Sequence, residues 1–90
     1  MGDPVVSRSG DQICCSLNGE AVVLNIKTGK YFGLNDVGAR VWALVQEPRT
    51  APELHRLLLA EFDVDPAVCE RDLNHLILDL EQAGLVEIQR

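Results

Sequence analysis

Basic side chains are scarce in this chain. Eight Lys and Arg residues stand against fourteen Asp and Glu, and the formal net charge at pH 7 is −6. Between residues 61 and 81, seven carboxylates accompany a single arginine, Arg71. Nucleic acids and anionic membranes are bound through clustered positive charge. The composition therefore predicts neither a nucleic-acid partner nor a membrane partner.

Cysteine and long apolar runs are also rare. Neighbouring strand residues point to opposite faces, so Cys14 and Cys15 are poor disulfide partners. Together with Cys69 they lack the spacing of a metal site, and we interpret all three as reduced, small apolar residues. The chain opens with no basic segment followed by an apolar stretch, and no run approaches the roughly 18 apolar residues of a membrane span. We expect a cytoplasmic protein.

Residues that carry catalysis are missing as well. His55 and His75 lie on different predicted helices, without cysteine or carboxylate at metal-ligand spacing. There is no glycine-rich phosphate loop, and no Cys–His or Ser–His–Asp arrangement. Ninety residues form one small domain, which offers little room for a closed pocket. We therefore expect no enzyme activity and no cofactor.

The first half of the chain has the pattern of antiparallel strands. Residues 1–11 are polar and are predicted to form a flexible N-terminal arm, followed by one folded domain over residues 12–90. Asn18-Gly19 is a hairpin signal, and a second turn lies around Gly29. The predicted strands cover residues 13–17, 20–26 and 30–34.

The pairing register of the second hairpin decides which side chains face the core. A two-residue loop, Thr28-Gly29, pairs Ile26 with Tyr31, whereas a three-residue loop with a left-handed Gly29 pairs Leu24 with Phe32. A slip of one residue inverts the faces, and only the longer loop gathers the apolar side chains on one side. The predicted core face carries Val22, Leu24, Ile26, Phe32 and Leu34. The opposite face carries Val23, Asn25, Tyr31 and Gly33.

Helical periodicity begins after the third strand and predicts three helices. The predicted N-terminal caps are Asn35 or Asp36, then Thr50 in a capping box with Glu53, then Asp65 before Pro66. Pro48 ends the first helix and Gly84 the third. The buried stripes are Val37, Val41, Leu44 and Val45 with Trp42 on the flank, then Leu54, Leu57, Leu58 and Phe62, then Cys69, Leu73, Leu76, Ile77, Leu80 and Ala83. With a short last strand over residues 85–88, the fold class is α+β: a winged-helix-like domain with a three-stranded antiparallel sheet followed by three helices.

Short segments spread over roughly residues 13–88 occur in an order and spacing that fit a known family. They are Val23-Leu24-Asn25, Thr28-Gly29-Lys30-Tyr31-Phe32-Gly33-Leu34-Asn35, Gly38-Ala39-Arg40-Val41-Trp42-Ala43-Leu44, Thr50 with Glu53-Leu54, Phe62-Asp63-Val64, Asp72-Leu73 and Gly84-Leu85-Val86. This set resembles the PqqD-like family of peptide-recognition domains (RiPP recognition elements) from ribosomal peptide pathways. The chain looks most like free-standing members from lasso-peptide clusters. Asp36-Val37 departs from the small or hydroxyl residue of many relatives.

The resemblance implies a domain that binds the leader of a precursor peptide. The leader would lie as an extra antiparallel strand along residues 30–34, with its apolar side chains between that strand and the third helix. The implied partners are the precursor leader peptide and a transglutaminase-like leader peptidase, with the later cyclase as a further candidate. The candidate peptide-binding residues are Lys30, Tyr31, Phe32, Gly33, Leu34, Asp72, Leu73, Leu76, Ile77 and Leu80.

Strand addition requires an exposed sheet edge. No proline or inward charge protects residues 30–34, and Gly33 allows another backbone to come close. Four or five new hydrogen bonds contribute about 2–6 kcal/mol, whereas micromolar binding needs about 8 kcal/mol. Apolar side chains in a groove must therefore supply the rest.

Purely structural roles also fit the same residues. A short edge strand of an ordinary domain explains residues 30–34, core packing explains Leu73, Leu76 and Leu80, and a solvated helix face explains Asp72 and Asp79. Three other functions stay open. They are a winged-helix DNA-binding regulator, which the acidic third helix opposes, a pyrroloquinoline quinone-type peptide chaperone, and a module that binds its enzyme without precursor peptide.

Overall fold

The computed structural model describes residues 3–10, 12–17 and 20–89. The strands are β1 (Val5–Arg8), β2 (Gln12–Leu17), β3 (Glu20–Asn25), β4 (Tyr31–Leu34), β5 (Arg49–Thr50) and β6 (Val86–Gln89), and the helices are α1 (Asp36–Leu44), α2 (Ala51–Glu61) and α3 (Pro66–Gln82). The predicted α+β class, with a three-stranded antiparallel sheet and three helices, is confirmed. Over these ranges no helix is both long enough and apolar enough to cross a bilayer.

The first sheet contains the three strands that the sequence predicts. Its order is β2-β3-β4, and both pairings are antiparallel. The predicted turn at Asn18-Gly19 lies outside the described residues. Within those residues β4 pairs with β3 alone, so its other side is an open sheet edge.

A second sheet, of order β5-β1-β6, is absent from the sequence prediction. The flexible arm predicted for residues 1–11 is wrong over Val5–Arg8, because these residues form β1, where Val6 pairs with Ile88 and is only 2% exposed. Arg8 also donates a hydrogen bond to the Trp42 carbonyl at 2.6 Å and lies over the Trp42 ring. The predicted last strand exists as β6 and joins β1, so none of the described strands covers the free edge of β4.

The β3–β4 register differs from both loops weighed above. Val23 pairs with Phe32, which makes the loop four residues long, and Gly29 has the predicted positive φ, at 74°. The predicted core face is therefore wrong for Val23, which joins the core cluster, and for Ile26, which follows β3 and is 57% exposed, whereas Val22 is buried as predicted. In β4 the prediction holds, with Leu34 buried in the core and Tyr31 exposed on the opposite face.

A buried amide explains this register. Asn25 is 5% exposed, and its Oδ1 accepts hydrogen bonds from the backbone N–H groups of Lys27 and Thr28 at 3.0 and 3.3 Å. Its Nδ2 donates to the carbonyls of Ala83 and Gly84 at 3.1 and 3.3 Å. One side chain thus ties the β3–β4 turn to the turn after α3. Counting apolar residues cannot detect this, because an asparagine counts against burial.

We expect Asn25→Leu to lower the free energy of unfolding by about 2–4 kcal/mol, since it leaves several part-buried backbone groups without partners at about 1–3 kcal/mol each. Urea denaturation followed by circular dichroism measures the change. The control is Asn74→Leu on the exposed side of α3, which we expect to stay within about 0.5 kcal/mol of the parent. Equal stability of the two variants would contradict a structural role for the buried amide.

Candidate functional site

The open edge of β4 presents unpaired backbone groups. The Asn25 N–H donates to the Lys30 carbonyl at 2.7 Å, which makes these two residues a hydrogen-bonded pair. Such pairs alternate along an antiparallel ladder. Phe32 therefore bonds to β3, while Tyr31 and Gly33 direct their N–H and C=O groups outward.

Access to this edge is unobstructed at Gly33. A Cβ built on Gly33 would meet no atom within 4 Å, so the sheet face beside the edge is open there, and the missing side chain lets a second backbone come close. Tyr31, at 71% exposure, lies on the sheet face turned away from the core, and Lys30 is exposed just before the strand. Protected edge strands commonly carry a proline or an inward-pointing charge. β4 carries neither.

A groove of about 270 Å³ runs between this edge and α3. Its residues come from β4, from the N-terminal turn of α1 and from one face of α3. They are Phe32, Gly33, Leu34, Asn35, Gly38, Asp72, His75, Leu76 and Asp79. The α3 members follow helical i, i+3, i+4, i+7 spacing, so they share one side of the helix. An extended segment lying against β4 would place alternate side chains into this groove.

The position of α3 follows from its sequence. Asp65 caps the helix by accepting hydrogen bonds from the N–H groups of Ala67 and Val68 at 2.9 and 3.1 Å. The helix then buries a stripe formed by Cys69, Leu73, Ile77 and Leu80. Because that stripe faces the core, the adjacent side of the helix faces the groove, with half-buried Leu76 as its apolar residue.

The α1 side of the groove is shaped by a cap. Asn35 accepts a hydrogen bond from the Gly38 N–H at 2.8 Å and so starts α1 beside the end of β4. A Cβ at Gly38 would lie 3.2 Å from Asn35 Oδ1 and 3.3 Å from Leu34 Cδ2. A larger residue at position 38 would therefore push on the groove wall.

The charges in the groove are negative. Asp72 and Asp79 lie two helical turns apart on α3 and bracket Leu76. Asp72 is 3.5 Å from Arg71 Nε, in an exposed pair of low energetic weight. No lysine or arginine lines the groove within the described residues. The groove therefore favours apolar or basic side chains over acidic ones.

The predicted site residues separate into three groups. Phe32, Gly33, Leu34, Asp72 and Leu76 line the groove. Lys30 lies just before the edge strand and Tyr31 lies on it, and neither residue lines the groove. Leu73, Ile77 and Leu80 are core residues, each at most 5% exposed, and do not line it. The groove face of α3 is displaced by one residue position from the buried stripe. The predicted residues of that stripe therefore lie in the core and not in the groove.

Asn35, Gly38, His75 and Asp79 line the groove without having been predicted as peptide-binding residues. For His75 and Asp79 the available signal was their i, i+3, i+7 spacing with Asp72 on the side of α3 that carries Leu76. Among the described residues no three potential metal ligands come together.

Cysteine exposure gives a direct check of this geometry. Cys14 and Cys15 are exposed, whereas Cys69 is buried on α3. Burial raises the pKa of the Cys69 thiol, and the negative charge of Asp72 raises it further. At a given pH less thiolate forms, and the thiolate is the reactive species. We expect alkylation of Cys69 to be the slowest of the three and to accelerate as pH rises, as measured by peptide mass spectrometry. Equal rates would contradict the burial.

Comparison with known proteins agrees with this geometry. Residues 20–86 match the family described as coenzyme PQQ synthesis protein D (PqqD). The solved structure of TbiB1 in complex with the TbiA(beta) leader peptide superposes with a TM-score of 0.78 at 34% identity, covering 90% of this chain and 94% of that chain. A lasso peptide synthetase B1 complexed with the leader peptide has the same fold, with a TM-score of 0.76 at 21% identity and coverage of 91% and 96%. No curated protein sequence matches. The chain belongs to the PqqD family.

Proposed function

We propose that this protein binds the leader segment of a ribosomally made precursor peptide as an added strand on β4. In this role it delivers the precursor to a leader peptidase in lasso-peptide biosynthesis. The observation that carries the proposal is the open edge of β4 beside a groove that β4 shares with α3. A solved relative with 34% identity over most of both chains is described as a leader-peptide complex, which supports the same role here.

The backbone supplies only part of the binding energy. Tyr31 and Gly33 each offer one donor and one acceptor, so a guest strand forms up to four hydrogen bonds, worth about 2–6 kcal/mol in total. Micromolar binding requires about 8 kcal/mol, and ordering a flexible peptide costs about 2–5 kcal/mol more. Apolar guest side chains against Phe32 and Leu76 supply the difference, at about 1.5–3 kcal/mol for each buried residue.

The protein then acts through local concentration. The precursor is held on β4 while this protein contacts a transglutaminase-like peptidase. The precursor then meets the active site of the peptidase in an effectively intramolecular encounter. The cyclase that closes the ring is the second enzyme in this proposal to which the protein presents the bound precursor. Exposed, unpaired Cys14 and Cys15 are compatible with the reducing cytoplasm in which ribosomal precursors are made.

DNA binding is not favoured by the structure. The exposed side of α3 carries Glu70, Asp72 and Asp79 against Arg71, whereas a recognition helix needs positive charge near phosphates. The pairing edge and the acidic groove favour a peptide.

A binding titration tests the proposal. A fluorescent leader peptide, taken from the precursor gene adjacent to this protein's gene, should bind with micromolar or tighter Kd by anisotropy. A scrambled peptide of equal composition is the control. In a second arm, adding this protein should accelerate precursor cleavage by the adjacent peptidase. Absence of leader binding would refute the binding half of the proposal. A cleavage rate that stays the same when this protein is added would refute delivery to the peptidase.

A further inference from the structure

Three apolar side chains form a row across the outer face of the sheet that contains β4. Ile13 of β2 lies opposite Leu24 of β3, and Leu24 lies opposite Tyr31 of β4. Cross-strand partners share a face, so the three side chains stand side by side on the face turned away from the core. None of them belongs to the core cluster. We call them the outer row.

The outer row is open to solvent at both ends. Ile13 is 52% exposed and Tyr31 is 71% exposed, while Leu24 between them is half-buried. Ile26, in the turn after β3, is exposed as well. Three of the six large apolar side chains that are exposed in the described part of the chain therefore belong to this small sheet and its turn. A single exposed apolar residue is ordinary, whereas a group of them marks an interaction surface.

Positive charge borders the outer row in a protein of net negative charge. Both lysines of the chain, Lys27 and Lys30, lie between β3 and β4 and are exposed. Strands β2, β3 and β4 carry one carboxylate, Glu20, which begins β3 and so lies at the far end of the sheet from this turn. A partner surface that is apolar at its centre and acidic at its rim is complementary to this one.

The same end of the sheet is where a bound leader leaves the protein. β4 runs from Tyr31 to Leu34, so an antiparallel guest runs from Leu34 towards Tyr31 and continues past Lys30. A leader precedes the product segment of its precursor, and the bond that the peptidase cuts therefore lies beyond this end. The peptidase approaches the complex from the side where the outer row meets the turn.

We infer that the outer row, together with the lysines beside it, is the surface on which the leader peptidase docks, through an apolar patch edged by carboxylates. This inference rests on the proposed function and names the surface that delivery requires. The guest residue paired with Tyr31 points to the same face and extends the outer row by one side chain. The peptidase thus meets protein and leader on one continuous face and binds the loaded protein more tightly than the empty one.

Two substitutions in β2 probe this surface without touching the leader site. Ile13 lies two strands away from the open edge of β4, so a change there leaves the contacts of the guest in place. Ile13→Asp adds a charge to the outer row, whereas Ile13→Thr keeps a β-branched side chain that suits a strand and removes apolar surface. Leu78→Asp is the matched control, since Leu78 is similarly exposed, at 45%, and lies on α3 outside the groove.

The first measurement is precursor cleavage by the adjacent peptidase at rising concentrations of this protein. We expect Ile13→Asp to raise the concentration that gives half-maximal acceleration about tenfold or more, and Ile13→Thr about threefold, the scale on which single interface residues act. Leader affinity measured by anisotropy should stay within about twofold of the parent in both variants, because neither alters the edge of β4. Leu78→Asp should match the parent in both measurements.

Cysteine alkylation gives an independent readout of the same contact. Cys15 alternates with Ile13 along β2 and so lies on the outer face, whereas Cys14 lies opposite Val23 on the core side. Both thiols are exposed. Peptidase that has been treated with the alkylating reagent beforehand should slow the modification of Cys15 in the leader-loaded protein severalfold more than that of Cys14.

Acceleration by both Ile13 variants that equals that of the parent would overturn the inference. The proposed function would stand, since the leader would still bind and the precursor would still be cut. Self-association of the parent in analytical ultracentrifugation, lost in Ile13→Asp while acceleration is unchanged, would assign the face to a second copy of this chain instead. Failure of the leader to bind the parent would refute the proposed function, whereas binding of the peptidase that still depended on Ile13 would preserve the docking surface.

Discussion

A Gly33→Pro variant is expected to fold normally and to bind the leader peptide about tenfold to a hundredfold more weakly. Proline removes the Gly33 N–H, which points out of the sheet, and its ring occupies space next to the open edge. β4 pairs with β3 through the backbone groups of Phe32 and not through those of Gly33, so the substitution leaves this pairing intact. Anisotropy titration of the fluorescent leader measures the loss.

The matched control for this variant is Gly33→Ala. Alanine keeps the N–H, and its Cβ would enter open space, so we expect unchanged folding and affinity within about threefold, the usual scale of a neutral surface change. Circular dichroism and thermal unfolding of both variants verify that β4 is intact. A Gly33→Pro protein that binds as well as Gly33→Ala would exclude strand addition at this edge.

Leu76→Asp should weaken leader binding by about a hundredfold or more. Leu76 lines the groove and is the apolar residue that α3 contributes to it. The change removes burial worth about 1.5–3 kcal/mol. It also sets a third carboxylate between Asp72 and Asp79, facing an apolar guest.

Leu78→Asp again serves as the control, since it alters the same helix by the same charge without touching the groove. Leu76 is half-buried, so Leu76→Ala provides a milder variant with less risk to folding, and we expect it to weaken binding about tenfold. Urea denaturation of all three separates lost binding from lost folding. Leader affinity that is the same in the Leu76 and Leu78 variants would show that the guest does not use this groove.

The helices were predictable because their signals are local. Asn35, Thr50 and Asp65 cap the three helices as the sequence indicates, and each cap depends on residues only two or three positions away. Apolar stripes then place each helix against the core. Gly84, with φ of 74°, ends α3 as expected.

The second sheet and the β3–β4 register depended on distant contacts. Strand β1 is only four residues long, and its partner β6 lies near the other end of the chain. The register follows from the hydrogen bonds of Asn25 to the turn after α3, and a count of apolar side chains favours the wrong face. Neither contact leaves a periodic signal in the local sequence.

The site was partly predictable for the same reasons. The unprotected edge could be recognised from the absence of proline and charge and from Gly33, all of which are local. The groove wall on α3 could not be placed to within one helical position, since the buried stripe and the groove face are adjacent.

Amide hydrogen exchange measured by NMR, with and without the leader peptide, tests the open edge most directly. In the free protein we expect the amides of Tyr31 and Gly33 to exchange fast and that of Phe32 to be protected by β3. With bound leader, Tyr31 and Gly33 should become protected as strongly as Phe32. Binding that leaves these two amides in fast exchange would contradict the addition of a guest strand to β4.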